Sequence, residues 1–179
     1  MKRSIISIVL LSFCLSFFAQ NMESQDTEVP QDQIFKAAKA MSNPDYLVTA
    51  GDVYWLAFAA GSMPVTYSIM VDTTYKIRVA NLSVIDVKGK TFVQTKNLIE
   101  QIVSRNYPLS GVQFVLESPA LFTVSVNGEV NATQEPSAWA LSRLSSVVMP
   151  YVTSYSSIRD VTVTSAAGKK QTYDLFKAS

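Results

Sequence analysis

Thr91-Phe-Val-Gln94 opens the best-signalled helix of this chain, and its place between two β-rich stretches constrains the fold more than any other feature. The threonine hydroxyl can accept from the backbone N–H three residues on while the Gln94 side chain reaches back to the Thr91 N–H, a capping box. Leu98, Ile99, Ile102 and Val103 then fall on one face, and the helix is predicted to end around Asn106, before Tyr107-Pro108. Residues 46–71 are dense in Tyr, Trp, Phe, Val and Ile, with Gly51, Gly61 and Pro64 as punctuation, so strands joined by short turns are expected. Gly51-Asp52 reads as one of those turns. Tyr67–Val71, Tyr75–Val79 and Leu82–Val87 read as further strands, and Tyr75, Ile77 and Val79 alternate with Lys76 and Arg78, which predicts one wet face. After the helix, Val112–Glu117 returns to strand, and Ser118-Pro119 marks a break between two units.

The second unit opens with Phe122-Thr-Val-Ser-Val126, whose apolar residues alternate with polar ones in the pattern of a half-buried strand turning at Asn127-Gly128. Pro136-Ser137 offers a helix start, Leu141, Leu144 and Val148 supply its apolar stripe, and Pro150 closes it. Ile158–Val163 and Thr172–Phe176 flank Ala167-Gly168 as a hairpin. The expectation is an α+β chain: a small mixed-sheet domain over 46–118, then a second small mixed sheet wrapped on one helix over 119–179.

Met1-Lys2-Arg3 followed by the apolar run Ile5–Phe18 and then Ala19-Gln20-Asn21 has the build of a secretory signal peptide. The run is shorter than the roughly 20 residues a spanning helix needs, and Ser7, Ser12 and Ser16 interrupt it, so cleavage after Ala19 is favoured over a retained anchor. A lipoprotein box at Leu11-Ser12-Phe13-Cys14 is the competing reading, disfavoured because the residue before a lipidated cysteine is normally small. Residues 20–45 then read as a mobile leader carrying a short helix over Ile34–Met41 that stops at Asn43-Pro44. Cleavage takes Lys2 and Arg3 from the 15 basic residues, leaving 13 against 14 acidic and a net charge of −1. That balance lacks the basic footprint of a nucleic-acid binder. Cleavage also removes Cys14, the single cysteine, so the exported chain would rely on its core without disulfides.

No histidine occurs, which excludes imidazole bases, Ser-His and Cys-His pairs and zinc sites of the ordinary kind. The burden shifts to carboxylates and to surfaces. Asp45 and Asp52, either side of a strand, could form the carboxylate pair of a glycoside hydrolase or lyase, but aspartate beside glycine is explained by turn chemistry. Glu129 after Gly128 belongs to the same class. Tyr151 and Tyr155, in a Ser- and Thr-rich loop before Arg159, are the candidates for glycan contact, against the plainer reading of a solvated loop. Asn81-Leu-Ser83 and Asn131-Ala-Thr133 satisfy the short N-glycosylation pattern. No residue is assigned to catalysis, to a cofactor or to a metal.

Tyr46-x-x-x-x-Gly51-Asp52, the turn at Asp72, Gly89-x-Thr91 before the helix, Val112–Leu116, then Val124, Val126, Gly128-Glu129-Val130, the helical Leu141 and Leu144, Arg159, Gly168 and Asp174-Leu175 follow in an order that resembles the bacterial polysaccharide-export family. The resemblance covers residues 46–176. It implies an export-type domain followed by a soluble-ligand-binding (SLBB) β-grasp domain, with Gly51, Asp52, Gly89, Gly128 and Gly168 as structural turn positions. It also implies a non-enzymatic role in polysaccharide export from the periplasm or the periplasmic side of the outer membrane. The implied partners are polysaccharide, an inner-membrane polysaccharide co-polymerase, and further copies of the chain in a ring.

Departures are specific. Thr73 stands where the family usually has glycine after the aspartate, Asn81–Asp86 lacks the usual Pro and Gly, and Met149-Pro150-Tyr151 replaces a Gly-Gly pair. Nothing follows Ser179, whereas members that carry polymer across the outer membrane generally have more β-grasp repeats and a C-terminal amphipathic helix. A short periplasmic member, a truncated one without transport activity, or a monomeric secreted glycan-binding module are the forms this implies.

Overall fold

The computed structural model describes residues 30–177; the segment expected to be a signal peptide, Cys14 and the first part of the expected leader lie outside the described residues. Among the described residues the chain is α+β, and no helix there is long and apolar enough to cross a membrane. The first element, α1 (Gln31–Ser42), begins three residues earlier than expected and does not behave as part of a leader. Its Ala37 and Ala40 are buried in the main core, and it packs along the last strand of the central sheet.

That sheet is built from β1 (Val53–Ala60), β2 (Met63–Met70) and β5 (Gln113–Ser118), in the order β2-β1-β5 with every pairing antiparallel. Strand alternation sends Tyr54, Leu56 and Phe58 of β1 inward with Ile69, Phe114 and Leu116, and turns Trp55 and Val115 outward, each 38% exposed. Between β1 and β5 the register slips at Val53/Tyr54, a bulge that bends the end of β5. α1 covers the far edge of β5: the Leu116 N–H donates to the Met41 sulfur at 3.3 Å and Ser118 Oγ donates to Gln33 Oε1 at 3.2 Å. An edge strand is closed against further pairing by such a cover.

β3 (Lys76–Val79) and β4 (Ser83–Asp86) form a separate hairpin, with Ile77 and Val79 fully buried and Lys76 and Arg78 exposed, as the alternation predicts. The turn before it is tight despite Thr73. Asp72 Oδ1 accepts from the Thr74 N–H, the Thr74 hydroxyl and the Lys76 N–H, and left-handed backbone falls on Tyr75 at φ 62°, not on Thr73.

α2 (Phe92–Asn106) carries the expected capping box and ends where the sequence indicated. It buries Phe92, Thr95, Ile99 and Val103, and Phe92, Tyr54 and Phe114 stack in one aromatic group with centroids 4.7–6.1 Å apart.

The second half departs from expectation at four points. β6 (Leu121–Thr123) is short and exposed along its length, so Phe122 lies outside the core and the half-buried alternation begins only at Val124. Ser137–Trp139 is not the start of a helix but β7, paired with β6, because Trp139 gains a strand partner in Leu121 and its N–H a cap from Ser142 Oγ. The helix is reduced to α3 (Leu144–Val148), and Pro150 lies within the 3₁₀ turn Met149–Tyr151 that follows. In place of one mixed sheet there are two antiparallel ribbons, β6–β7 and the expected hairpin β8 (Val161–Thr164) with β9 (Lys170–Tyr173). Val126, Ala138 and Val147 make a second, smaller apolar cluster, while Trp139 joins the main one.

Candidate functional site

Gly51 and Asp52 are more than a surface turn. Gly51 takes φ 93°, a backbone that L side chains rarely adopt, and a Cβ there would stand 3.3 Å from that of Ala120. This lets the chain fold back so that the Gly51 N–H donates to Val71 O and the Asp52 N–H to Thr49 O. The Asp52 side chain is thereby driven inward until it has no exposed surface.

Four donors meet the buried carboxylate. Oδ1 accepts from the Ala120 N–H at 2.7 Å and the Tyr46 hydroxyl at 2.9 Å, while Oδ2 accepts from the Thr49 N–H at 2.9 Å and the Tyr54 hydroxyl at 3.1 Å. No cation joins them among the described residues. Desolvation raises the Asp52 pKa above its ordinary value, opposed by the amide donors of Ala120 and Thr49 and by the two phenols. Burial and, next, the Asp52 charge push both tyrosines well above the ordinary phenol range, so they remain donors at every working pH.

The same segment reaches the helix start. Val48 N–H donates to Lys90 O and Phe92 N–H to Tyr46 O, each within 3.0 Å, so residues 46–48 run antiparallel to 90–92. Three pieces far apart in sequence are thus tied together: Tyr46–Asp52 pairs its backbone with the helix start at Gly89–Thr91, and its buried Asp52 carboxylate accepts from Ala120. Sequence reading placed the first two in turns but missed Tyr54 and Ala120 as donors. The Tyr54 spacing, two residues along a strand from Asp52, was the available signal; Ala120 gave none.

Asp45 is exposed and its N–H is held by Asn43 Oδ1 in a local turn, while Asp52 is sealed, so the two do not form a carboxylate pair across a sugar. Among the described residues no three potential metal ligands cluster. One depression among the described residues is shallow, lies where β1 ends and β2 and β5 begin, and is lined by residues such as Ala57, Pro64, Thr66, Gly111 and Gln113, with no titratable side chain.

The candidate glycan residues share a segment but point to different tasks. Tyr151 is half-buried against the Val126–Val147 cluster, and its carbonyl accepts from the Asn131 N–H. Arg159 places its guanidinium 4.2 Å from the centre of the Phe176 ring, a partner 17 positions away that sequence reading missed. Tyr155 is 85% exposed. Its loop is not loosely solvated: Thr153 N–H donates to Ser156 Oγ, Tyr155 N–H to Thr153 Oγ1, and the Ser156 hydroxyl to Glu129 O. Gly89, Gly128 and Gly168 all have positive φ.

No family model matches the chain, and no curated protein matches it.

Proposed function

We propose that this protein is a non-catalytic component of polysaccharide export, working in the periplasm or on the periplasmic side of the outer membrane. Residues 46–118 would be its export-type domain and 119–179 its SLBB-type β-grasp domain. The observation that carries this reading is that the Tyr46–Asp52 segment is tied to the helix start at Lys90 and Phe92 through its backbone and to Ala120 through the buried Asp52 carboxylate. A motif that ties the opening of the first unit to the opening of the second explains why tyrosine, glycine and aspartate are spaced as they are. It gives them a structural task, which suits a protein acting through surfaces. The polysaccharide would meet the ordered loop at Tyr155, with Tyr151 and Arg159 supporting its two ends, and the inner-membrane co-polymerase and further copies of the chain would be the protein partners.

The reading is tested by removing the gene in its source organism. Surface or secreted polysaccharide should be lost while precursor synthesis continues, and unchanged export would reject the proposal.

A second reading, a monomeric glycan-binding module, draws support from the 85% exposure of Tyr155 on a hydrogen-bonded loop. Under it, gene loss leaves export intact while the purified protein still binds glycan. In both readings Tyr155→Ala should weaken binding by roughly tenfold, the equivalent of about 1.4 kcal/mol, in a calorimetric titration with the source's own polysaccharide. Unaltered binding would remove the loop from either.

A further inference from the structure

The two edges of the central sheet are treated differently. The β5 edge lies under α1, whereas β2 pairs with β1 alone and no described residue hydrogen-bonds to the backbone of its other side. Which groups face that open side follows from the ladder. Val71 N–H donates to Asp52 O, so alternation places Ile69, Tyr67 and Val65 in hydrogen-bonded pairs with Tyr54, Leu56 and Phe58. The backbone groups of Pro64, Thr66, Ser68 and Met70 therefore point away from the sheet. Pro64, with no N–H to lose, falls in that outward set, the position an edge strand permits.

Edges left open in this way are ordinarily guarded by a charge, a bulge or a cover. β2, Met63-Pro-Val-Thr-Tyr-Ser-Ile-Met70, has a guarding proline only near its start: from Val65 to Met70 it carries no charged side chain and pairs with β1 without a break in register. Thr66, Ser68 and Met70 are exposed, Met70 at 64%.

We infer that β2 is a self-association edge, at which a second copy of this chain adds its own β2 antiparallel to make one continuous sheet across a twofold axis. A second copy fits because the strand is neutral. Antiparallel self-pairing sets no charged β2 side chains opposite one another; the carboxylate that reaches the strand, Glu117 of β5, accepts from the Ser68 hydroxyl at 3.5 Å. Pro64 selects the register. Placing Ser68 opposite Ser68 of the second copy, and Thr66 opposite Met70, uses every outward N–H in about six backbone hydrogen bonds and leaves Pro64 beyond the paired stretch. The inference rests on the strand ladder alone and stands or falls separately from polysaccharide export.

Sedimentation across a concentration series tests it on the full chain. The mass should rise from one chain to two, and Ser68→Pro, which removes an N–H that β1 does not use, should return the protein to one chain mass with an unchanged far-UV circular dichroism spectrum. Thr66→Lys, which adds charge to the edge without altering its backbone, should weaken pairing at least tenfold at low salt, and it serves if the proline variant does not fold. The register is read by oxidation in a Cys14→Ser background. Ser68→Cys should cross-link, because a hydrogen-bonded antiparallel pair sets the two Cα atoms about 5.5 Å apart, within disulfide reach. Thr66→Cys should not, being offset from its counterpart by four strand residues, roughly 13 Å. A single chain mass at all concentrations, association untouched by the folded edge variants, or equal cross-linking at 66 and 68 would overturn the inference.

Discussion

At Asp52 a carboxylate is held without a countercharge, by two phenols and two amides. Asp52→Ala would strand four buried donors, and we expect a loss of about 3–5 kcal/mol in urea denaturation. Asp52→Asn, which retains one acceptor oxygen, should cost less. The pH dependence has a definite sign. Because burial raises the folded pKa above the ordinary 3.8, ionising Asp52 is harder in the folded chain than in the unfolded one. Its contribution to stability is therefore greatest below the unfolded value and is lost as pH rises through the folded one. Acidifying the wild type from neutral pH should raise its melting temperature relative to Asp52→Asn, and a flat difference between the two would reject the raised pKa. Thr95 poses the opposite case. Its hydroxyl is fully buried in α2 with no hydrogen-bond partner, so Thr95→Val removes an unpaid desolvation cost at nearly constant shape and should stabilise by about 1 kcal/mol in the same measurement.

Elements with a local cause were legible. α2 has its own start signal, apolar stripe and stop, and Thr91→Ala should cost about 1 kcal/mol because Thr91 Oγ1 accepts from the Gln94 N–H and anchors a reciprocal box; denaturant midpoints would show it. β3 was legible for a similar reason, its alternation being strict. Residues 137–148 were misread because Pro136-Ser137 is a valid local helix start that lost to a distant partner: Ser137–Trp139 pairs with Leu121–Thr123. Periodicity reports which residues are apolar, not which strand they will meet. α1 shows the same limit. Its Ala37 and Ala40 are too small to announce burial, yet they let the helix lie close against β5.

Across the whole molecule, burial is uneven. The core made by α1, the central sheet, the β3–β4 hairpin and α2 holds nearly all of the fully buried side chains, whereas β8–β9 is exposed almost throughout. Amide exchange should follow that division. Hydrogens of Leu56 and Phe114 should exchange with the global unfolding transition, and those of β8–β9 several orders of magnitude faster through local opening; equal protection would contradict the packing described here. The α+β class, the capped helix, the turn glycines and the wet face of β3 were determined by sequence alone, because each follows from interactions within a few residues. The sealing of Asp52, the covering of one sheet edge and the opening of the other, and the pairing of Arg159 with Phe176 were decided only by tertiary structure. Asp52 is sealed only when Ala120 arrives from 68 positions away, Arg159 meets a ring 17 positions on, and the sheet edges depend on what a neighbouring element happens to cover, so no local pattern encodes them in full.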